Sequence, residues 1–501
     1  MSGLRAAAVR WYRRTFGAPA GTDIREEGLQ TVLDGNSAVA LTEAGIAGHA
    51  VLGGSFPSGE ADSVWLGELA RGGSNLFDES LASQVAEGPR GIVAAATGLA
   101  LTGRRATAFL SGPDIAAAQD LLVSAAGKHA PMVLHLGTRA TPAHGGTLGN
   151  GHDSVHLSSD SGFFMLFASN VQQAIDFTVI ARRTTEQCLV PGIVVMDGRE
   201  TAIAPQDVRL LSPTQARRFL GAADATIDSP TPAQQLLFGP TRRRVPAWHD
   251  LDEPTLLGAL YDADSFSLGA LAQKPFLDDF VEPSLTAAFK RFAELTGRSH
   301  AAVSEYRIDD ATTVLVAVGA AVETARVAAD VMRKQHKTRV GVLGIQSLRP
   351  FPAAAIGAAL SGRRKVLVLE RVDPLLSGEP PLTREIRAGL DRLDSGGQSQ
   401  CRAVIYGVGG LPLRVTDLVR LCVDAGNDDA FTPIYLGLAF DDKASLQPKR
   451  EILLDTLRRA YPHLADLGLR ADPNEVPPAQ KNAVTVAIRR DGGGDAKDLA
   501  G

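Results

Sequence analysis

The sequence predicts an α/β fold of two parallel-sheet, three-layer domains joined by an extended helical connector. Three observations carry this expectation. Between residues 36 and 205, short and nearly continuous apolar runs alternate with helical patterns, as expected of strands buried on both faces of a parallel sheet. The same alternation returns from residue 306 onward. Residues 206 to 305 differ, mixing prolines with a basic run in "SPTPAQQLLFGPTRRRVPAW" and showing little strand pattern of their own. At 501 residues the chain also exceeds what one hydrophobic core usually organises.

Taken in order, residues 1–35 read as an N-terminal arm, with Arg5, Arg10, Arg13 and Arg14 interleaved with Trp11, Tyr12 and Phe16. That pattern has some likeness to a transit peptide but lacks the apolar core of a secretory signal, and a docked or surface amphipathic helix is the simpler reading. In the first α/β domain, 36–205, the strand candidates are "ATAFLSG", "PMVLHLGT", "GFFMLFAS" and "PGIVVMDG". Asn170 can cap a helix that presents Val171, Ala174, Ile175 and Val179 on one face. Within the connector, 206–305, "PSLTAAFKRFAELTG" predicts a helix ended by Gly297.

The second α/β domain, 306–465, opens with the strand "TTVLVAVG", followed by a helix through "AVETARVAADVMRKQ" and the strand "RVGVLGIQ". A short helix after "RPFP", the strand "KVLVLER", then "AVIYGVGG" and a helix from Val415 to Cys422 complete the alternation. The tail, 466–501, contains a strand-like "AVTVAI" followed by glycines and reads either as an arm that docks on a partner's sheet edge or as a mobile tail.

Composition narrows the function. A formal net charge of -5 with 21% charged residues gives no electrostatic reason to expect nucleic acid. No apolar run is long enough to span a membrane. The cytoplasm is the default location. Cys188, Cys401 and Cys422 are far apart and form no C-x-x-C pair, so any iron–sulfur cluster is expected on another polypeptide. Five histidines, His129, His135, His144, His152 and His156, crowd one stretch, but glycines separate His144 from His152, and the H-x-x-x-H spacing of His152 and His156 is read as having no helical pattern; no metal site is expected. The glycine-rich "AHGGTLGNGHD" lacks the lysine and register of a phosphate loop.

In their order, "GLALTGRRATAFLSGPDIAAAQDLLVSAAGKHAPMVLHLGTRATPAHGGTLGNGHD" and the residues from Ser154 to Thr201, ending in "GIVVMDGRET", resemble the first, pyrimidine-binding domain of pyruvate:ferredoxin (or flavodoxin) oxidoreductases. "TTVLVAVGAAVETARVAADVMRKQHKTRVGVLGIQSLRPFP", "KVLVLERVDPLLSGEPPLTREI" and "AVIYGVGGLP" are similar to that family's next domain, which is related to the transketolase C-terminal domain. "FLDDFVEPSLTAAFKRFAELTG" matches its connector, so the resemblance covers roughly residues 30 to 450.

The resemblance implies a thiamine diphosphate-binding-like domain and a transketolase C-terminal-like domain. It also implies the α-type part of an enzyme that decarboxylates a 2-oxoacid oxidatively, passes the acyl group to coenzyme A and sends electrons to ferredoxin or flavodoxin. The implied cofactor-binding and catalytic carboxylate is Glu87 in "SQVAEGPRG", which would bond N1′ of the cofactor's aminopyrimidine; from the residues alone it reads as a glutamate at a helix start. The implied substrate-binding arginine is Arg139, just past a strand end, where an ordinary surface arginine is the alternative. His144, His152 and Asp153 would shape the pocket.

The chain also departs from the family pattern. The family's Tyr-Pro-Ile-Thr-Pro-Ser-Ser loop falls on "GGSFPSG", so Phe56 stands where a threonine hydroxyl would bind substrate, while Pro57 and Ser58 remain. Ser55 or Ser58 is expected to substitute. No G-D-G…N signature is present, which implies that thiamine diphosphate is shared with a β-like subunit carrying the diphosphate and Mg²⁺. The 4Fe-4S clusters and a γ-like domain would likewise sit on partner chains, giving a hetero-oligomer. The alternative expectation is a scaffold subunit of the same fold, no longer catalytic, in a larger redox complex.

Overall fold

The computed structural model describes residues 28–248, 260–393, 400–424, 432–438 and 448–470. The basic and aromatic stretch at residues 5–16 and the strand-like run of the tail lie outside the described residues. The chain divides into two compact units. The first reaches to Ser304 and also takes in Val318–Ala320 and Ile345–Pro352; the second comprises Glu305–Ala317, Ala321–Gly344 and the residues from Ala353 onward.

The first unit begins with β1 (Gln30–Leu33), α1 (Gly35–Ile46), β2 (His49–Leu52), α2 (Gly59–Ala70), β3 (Ala82–Val85), α3 (Pro89–Leu101) and β4 (Ala106–Ser111). It continues through α4 (Gly112–Ala117), α5 (Gln119–Gly127), β5 (Val133–Gly137), α6 (Asp153–Ser158), β6 (Phe164–Ala168), α7 (Val171–Cys188), β7 (Gly192–Met196) and β8 (Gln206–Arg209). A seven-stranded sheet runs in the order β14-β6-β7-β5-β4-β2-β3, where β14 is Ser347–Arg349 and alone is antiparallel to its neighbour. β4, β5, β6 and β7 are buried at every position, which explains their unbroken apolar sequences.

α7 begins as its sequence predicts, with the Asn170 side chain accepting from the Gln173 N–H, and ends at Leu189 in the left-handed region. A single apolar cluster joins the sheet to α1, α2 and α7, with Trp65, Phe109, Phe177 and Phe219 among its members. Phe289 and Phe292 of a later helix, Val281–Thr296, complete it; Gly297 stops that helix with φ of 73°. Two buried ion clusters cross this core. Arg182 of α7 bonds both carboxylate oxygens of Glu43 of α1, at 3.0 and 2.8 Å, and His135 Nε2 lies 2.9 Å from the same Glu43. Arg105 grips Glu186 through Nε and Nη2 at 2.7 and 3.0 Å.

Four of this sheet's strands correspond to the four apolar runs. The two at the far edge, β2 and β3, carry polar residues and are not distinguishable by apolar continuity: "HAVL" is only four residues long and "ASQV" is partly exposed. Residues 48–63 hold the whole of β2, a tight loop and the first turn of α2.

The second unit holds a seven-stranded sheet in the order β11-β13-β12-β15-β16-β17-β18, where β11 is Val303–Tyr306, β17 is Ile434–Leu436 and β18 is Gly468–Leu469. Its central strands are β12 (Thr313–Val318), β13 (Val340–Ile345), β15 (Lys365–Glu370) and β16 (Gln400–Tyr406), with β15 parallel to both β12 and β16. Leu315, Leu367 and Val404 from these strands pack with Ala325, Ala328 and Leu418 from helices Ala321–Gln335 and Val415–Asp424. Both sheets are therefore predominantly parallel and flanked by helices, the α/β class read from the sequence.

Candidate functional site

In an open parallel sheet, ligands collect at the carboxyl ends of the strands, where loops and helix N-termini converge. In the first unit those loops follow β2, β3, β4, β5 and β7. They carry most of the residues singled out from the sequence.

The loop after β2 is fixed at nearly every residue. Asp62 Oδ2 accepts from the Gly53 and Gly54 N–H groups at 2.8 and 3.3 Å. Asp114 Oδ2 accepts from the Ser55 N–H and hydroxyl at 2.8 and 3.0 Å. The Pro57 carbonyl receives Asn36 Nδ2 at 2.8 Å, and Ser58 Oγ donates to the Leu110 carbonyl at 2.7 Å while accepting the Gly137 N–H at 3.0 Å. Gly54 is packed so tightly on β4 that a Cβ there would collide with the Phe109 carbonyl oxygen. Phe56 alone turns its side chain outward, 37% exposed. Ser58 is buried and its hydroxyl proton committed, and Ser55 Oγ lies 2.5 Å from Ser111 Oγ within the Asp114 cluster. The ring and the backbone of Phe56 are what the loop presents.

Arg139 follows β5 directly. Its Nη1 donates to the Phe56 carbonyl at 3.3 Å and its Nε to the Thr147 carbonyl at 3.2 Å, so the guanidinium and the Phe56 loop are neighbours. Two of five N–H groups are used in this way, and a guanidinium offers the rest to a carboxylate. Glu87 lies beyond β3, exposed, one residue after Ala86, whose carbonyl faces Gly53. Gly53 has φ of 126°, and a Cβ there would meet that carbonyl at 2.7 Å. A side chain at position 53 would force the two loops apart.

The residues after β5 divide. His144 is exposed on its loop. His152 is buried, its Nε2 2.9 Å from Asp197 Oδ1 at the end of β7. Asp197 Oδ2 also receives the Ala320 N–H at 2.7 Å, from the segment that belongs to this same unit. Asp153 accepts from the Thr141 N–H at 2.6 Å and from the Thr141 hydroxyl, tying the ends of the glycine-rich loop together. Both therefore act on the loop's shape.

Three residues escaped the sequence reading: Asp62, Asp114 and Asp197. Two carried a signal. "SGPD" is a Ser-x-x-Asp capping box, formed here by Ser111 and Asp114 at the start of α4, and Asp197 ends the strand "PGIVVMD". Asp62 had none, because its partners are backbone N–H groups eight and nine residues back. Burial pushes the Asp62 carboxyl up to about 6, with the Asp114 charge adding to that; the Gly53 and Gly54 N–H bonds oppose it.

No helix among the described residues is long and apolar enough to cross a membrane. Residues 75–249 match the family described as pyruvate flavodoxin/ferredoxin oxidoreductase, thiamine diphosphate-binding, and residues 311–418 match pyruvate:ferredoxin oxidoreductase core domain II. The chain is 27% identical over 358 residues to the pyruvate synthase subunit PorA of Thermotoga maritima, covering 70% of this chain and 84% of that one. With the PorA subunit of Methanothermobacter thermautotrophicus it shares 28% over 343 residues, 67% of this chain and 81% of the other. The probable pyruvate-flavodoxin oxidoreductase of Escherichia coli is 27% identical over 385 residues, 76% of this chain but only 31% of its own length. Among solved structures, a 2-oxoglutarate:ferredoxin oxidoreductase from Magnetococcus marinus, with 2-oxoglutarate, coenzyme A and succinyl-CoA bound, superposes with a TM-score of 0.57 at 18% identity. That match covers 79% of this chain and 65% of the other, and it speaks to the fold. The chain thus belongs to the 2-oxoacid:ferredoxin oxidoreductase family and carries that family's thiamine diphosphate-binding domain and core domain II.

Proposed function

We propose that this chain is the α-type subunit of a 2-oxoacid oxidoreductase and supplies one wall of a thiamine diphosphate site completed by a β-like subunit. The observation that carries the reading is the bond from Arg139 Nη1 to the Phe56 carbonyl, which joins the candidate carboxylate binder to the loop beside the Glu87 segment. The residues fit half of such a site. Gly53 lets the loop after β2 close against Ala86, leaving the Glu87 carboxylate exposed at a strand end where a second chain can cover it.

Thiamine diphosphate, when bound, supplies a carbon nucleophile and an electron sink for the decarboxylation of a 2-oxoacid. Glu87 would hold a proton at N1′ of its aminopyrimidine, and burial by the partner would strengthen that bond. Arg139 would bind the substrate carboxylate with its free N–H groups. His152, oriented by Asp197, and Asp153, holding Thr141, would keep the loop from Thr141 to Asn150 in shape beside it. Phe56 excludes water and donates no hydrogen bond. Mg²⁺ and 4Fe-4S clusters belong to partner chains in this reading, coenzyme A takes the acyl group, and electrons leave to ferredoxin or flavodoxin. The assembly is a cytoplasmic hetero-oligomer.

Phe56 favours a second reading, a scaffold subunit that keeps the fold without turnover. The two separate on one experiment. The complex purified from its native host should bind thiamine diphosphate and reduce an acceptor dye when given a 2-oxoacid and coenzyme A. Stoichiometric assembly with no cofactor binding would instead establish the scaffold.

A further inference from the structure

Six consecutive residues, Gly53 to Ser58, have little freedom of their own, and the first three, Gly53 to Ser55, are held by two carboxylates outside the loop. Asp114 is buried, and its Oδ2 alone takes the N–H and hydroxyl of Ser55 at 2.8 and 3.0 Å together with the N–H and hydroxyl of Ser111, both at 2.9 Å. One oxygen thus ties the loop after β2 to the end of β4 and the start of α4. On the other flank, Asp62 of α2 takes the Gly53 and Gly54 N–H groups on one oxygen, while its buried second oxygen, Oδ1, has no hydrogen-bond partner among the described residues. Charged acceptors are the strong ones, and backbone held from two sides cannot slide. Phe56 follows the anchored Ser55 directly, and its carbonyl in turn directs Arg139.

We infer that Asp114 and Asp62 are positioning residues that set substrate selectivity through the loop they hold. They fix the Phe56 ring and the Arg139 guanidinium relative to each other, so that the two form one rigid wall against the side chain of the 2-oxoacid. The inference rests on the proposed function. Asp114 and Asp62 need touch no substrate. Selectivity arises because a wall that cannot shift penalises a side chain that does not match the ring, as a fixed apolar pocket does, by about tenfold or more per poorly fitted group.

The test uses the assembled complex with Asp114→Ala, Asp114→Asn and Asp62→Asn in this chain. The quantity measured is the ratio of kcat/KM for pyruvate to that for 4-methyl-2-oxopentanoate. The inference predicts that Asp114→Ala moves this ratio toward unity by about tenfold, mostly through KM, with Asp114→Asn and Asp62→Asn in between. A purely structural role would lower both substrates equally by lowering the active fraction, and an unchanged ratio overturns the inference. Hydrogen exchange at the Gly53–Ser55 amides is the second readout, independent of turnover. It should accelerate by roughly 100-fold at Ser55 in Asp114→Ala, and unchanged exchange there likewise overturns the positioning role. A wild-type complex that turns over neither oxoacid overturns the functional reading and the selective role with it, whatever the exchange rates show.

Discussion

At the scale of single residues, the proposed function rests most on Phe56 and Arg139. A phenyl ring where a hydroxyl would bond the substrate removes a hydrogen bond worth about 0.5–1.5 kcal/mol, which corresponds to roughly 2- to 13-fold in rate. Phe56→Thr in the complex should therefore raise kcat/KM for pyruvate by several-fold, measured by acceptor-dye reduction; no change would mean that the ring does not face the substrate. Arg139→Lys keeps the charge and loses the planar fork. It should raise KM by about tenfold or more with little change in kcat, read from the same assay. The place of Arg139 just past an apolar strand was legible in the sequence. That its guanidinium is set by a carbonyl 83 positions earlier was not, since backbone acceptors have no side-chain signature.

At the scale of elements, legibility followed burial. β4 to β7 announce themselves because both faces are covered, whereas β2 and β3 at the sheet edge, the strands that aim the Phe56 loop and Glu87, do not. Two pairings of elements make predictions. Glu43 of α1 is buried against Arg182 of α7; burial pushes its carboxyl up, but the Arg182 charge and His135 more than offset that and hold it below the ordinary range. Glu43→Gln would leave Arg182 buried without its counter-charge and should destabilise the first unit by about 3–5 kcal/mol in denaturant unfolding.

In the second unit Glu370 ends β15 and accepts the N–H and hydroxyl of Thr383, at 2.6 and 2.8 Å, from the first turn of helix Pro381–Leu393. Burial pushes Glu370 up to about 8, against the opposing bonds from Thr383. Its folded pKa exceeds the unfolded value near 4.5, so its contribution is full below pH 4.5 and is lost as pH rises through about 8. At about 1.4 kcal/mol for each pH unit between the two values, the loss amounts to a few kcal/mol. Hydrogen exchange in the helix Pro381–Leu393 should quicken as pH rises from below 4.5 to about 8, after correction for intrinsic rates, and Glu370→Gln should flatten that dependence.

At the scale of the whole molecule, each unit carries a sheet and core of its own. The connecting segments contribute as well: α-helix Val281–Thr296 belongs to the first unit's core, which the proline-rich composition around it conceals. The sequence pattern reveals the class of both sheets; it does not reveal that the residues at 318–320 and 345–352 belong with the first unit, because that depends on contacts between distant positions. In the proposed function the carboxyl edge of the first sheet is half of an active site, with Glu87 as the group a partner must cover. The most direct measurement compares the purified complex carrying Glu87→Gln with the wild type, for thiamine diphosphate binding by calorimetry and for 2-oxoacid-dependent acceptor reduction. We predict a complex that assembles normally while turnover falls by about 100-fold or more, the scale of a lost general acid–base group. Wild-type turnover in Glu87→Gln, or a wild-type complex that assembles without binding the cofactor, would contradict the proposed role.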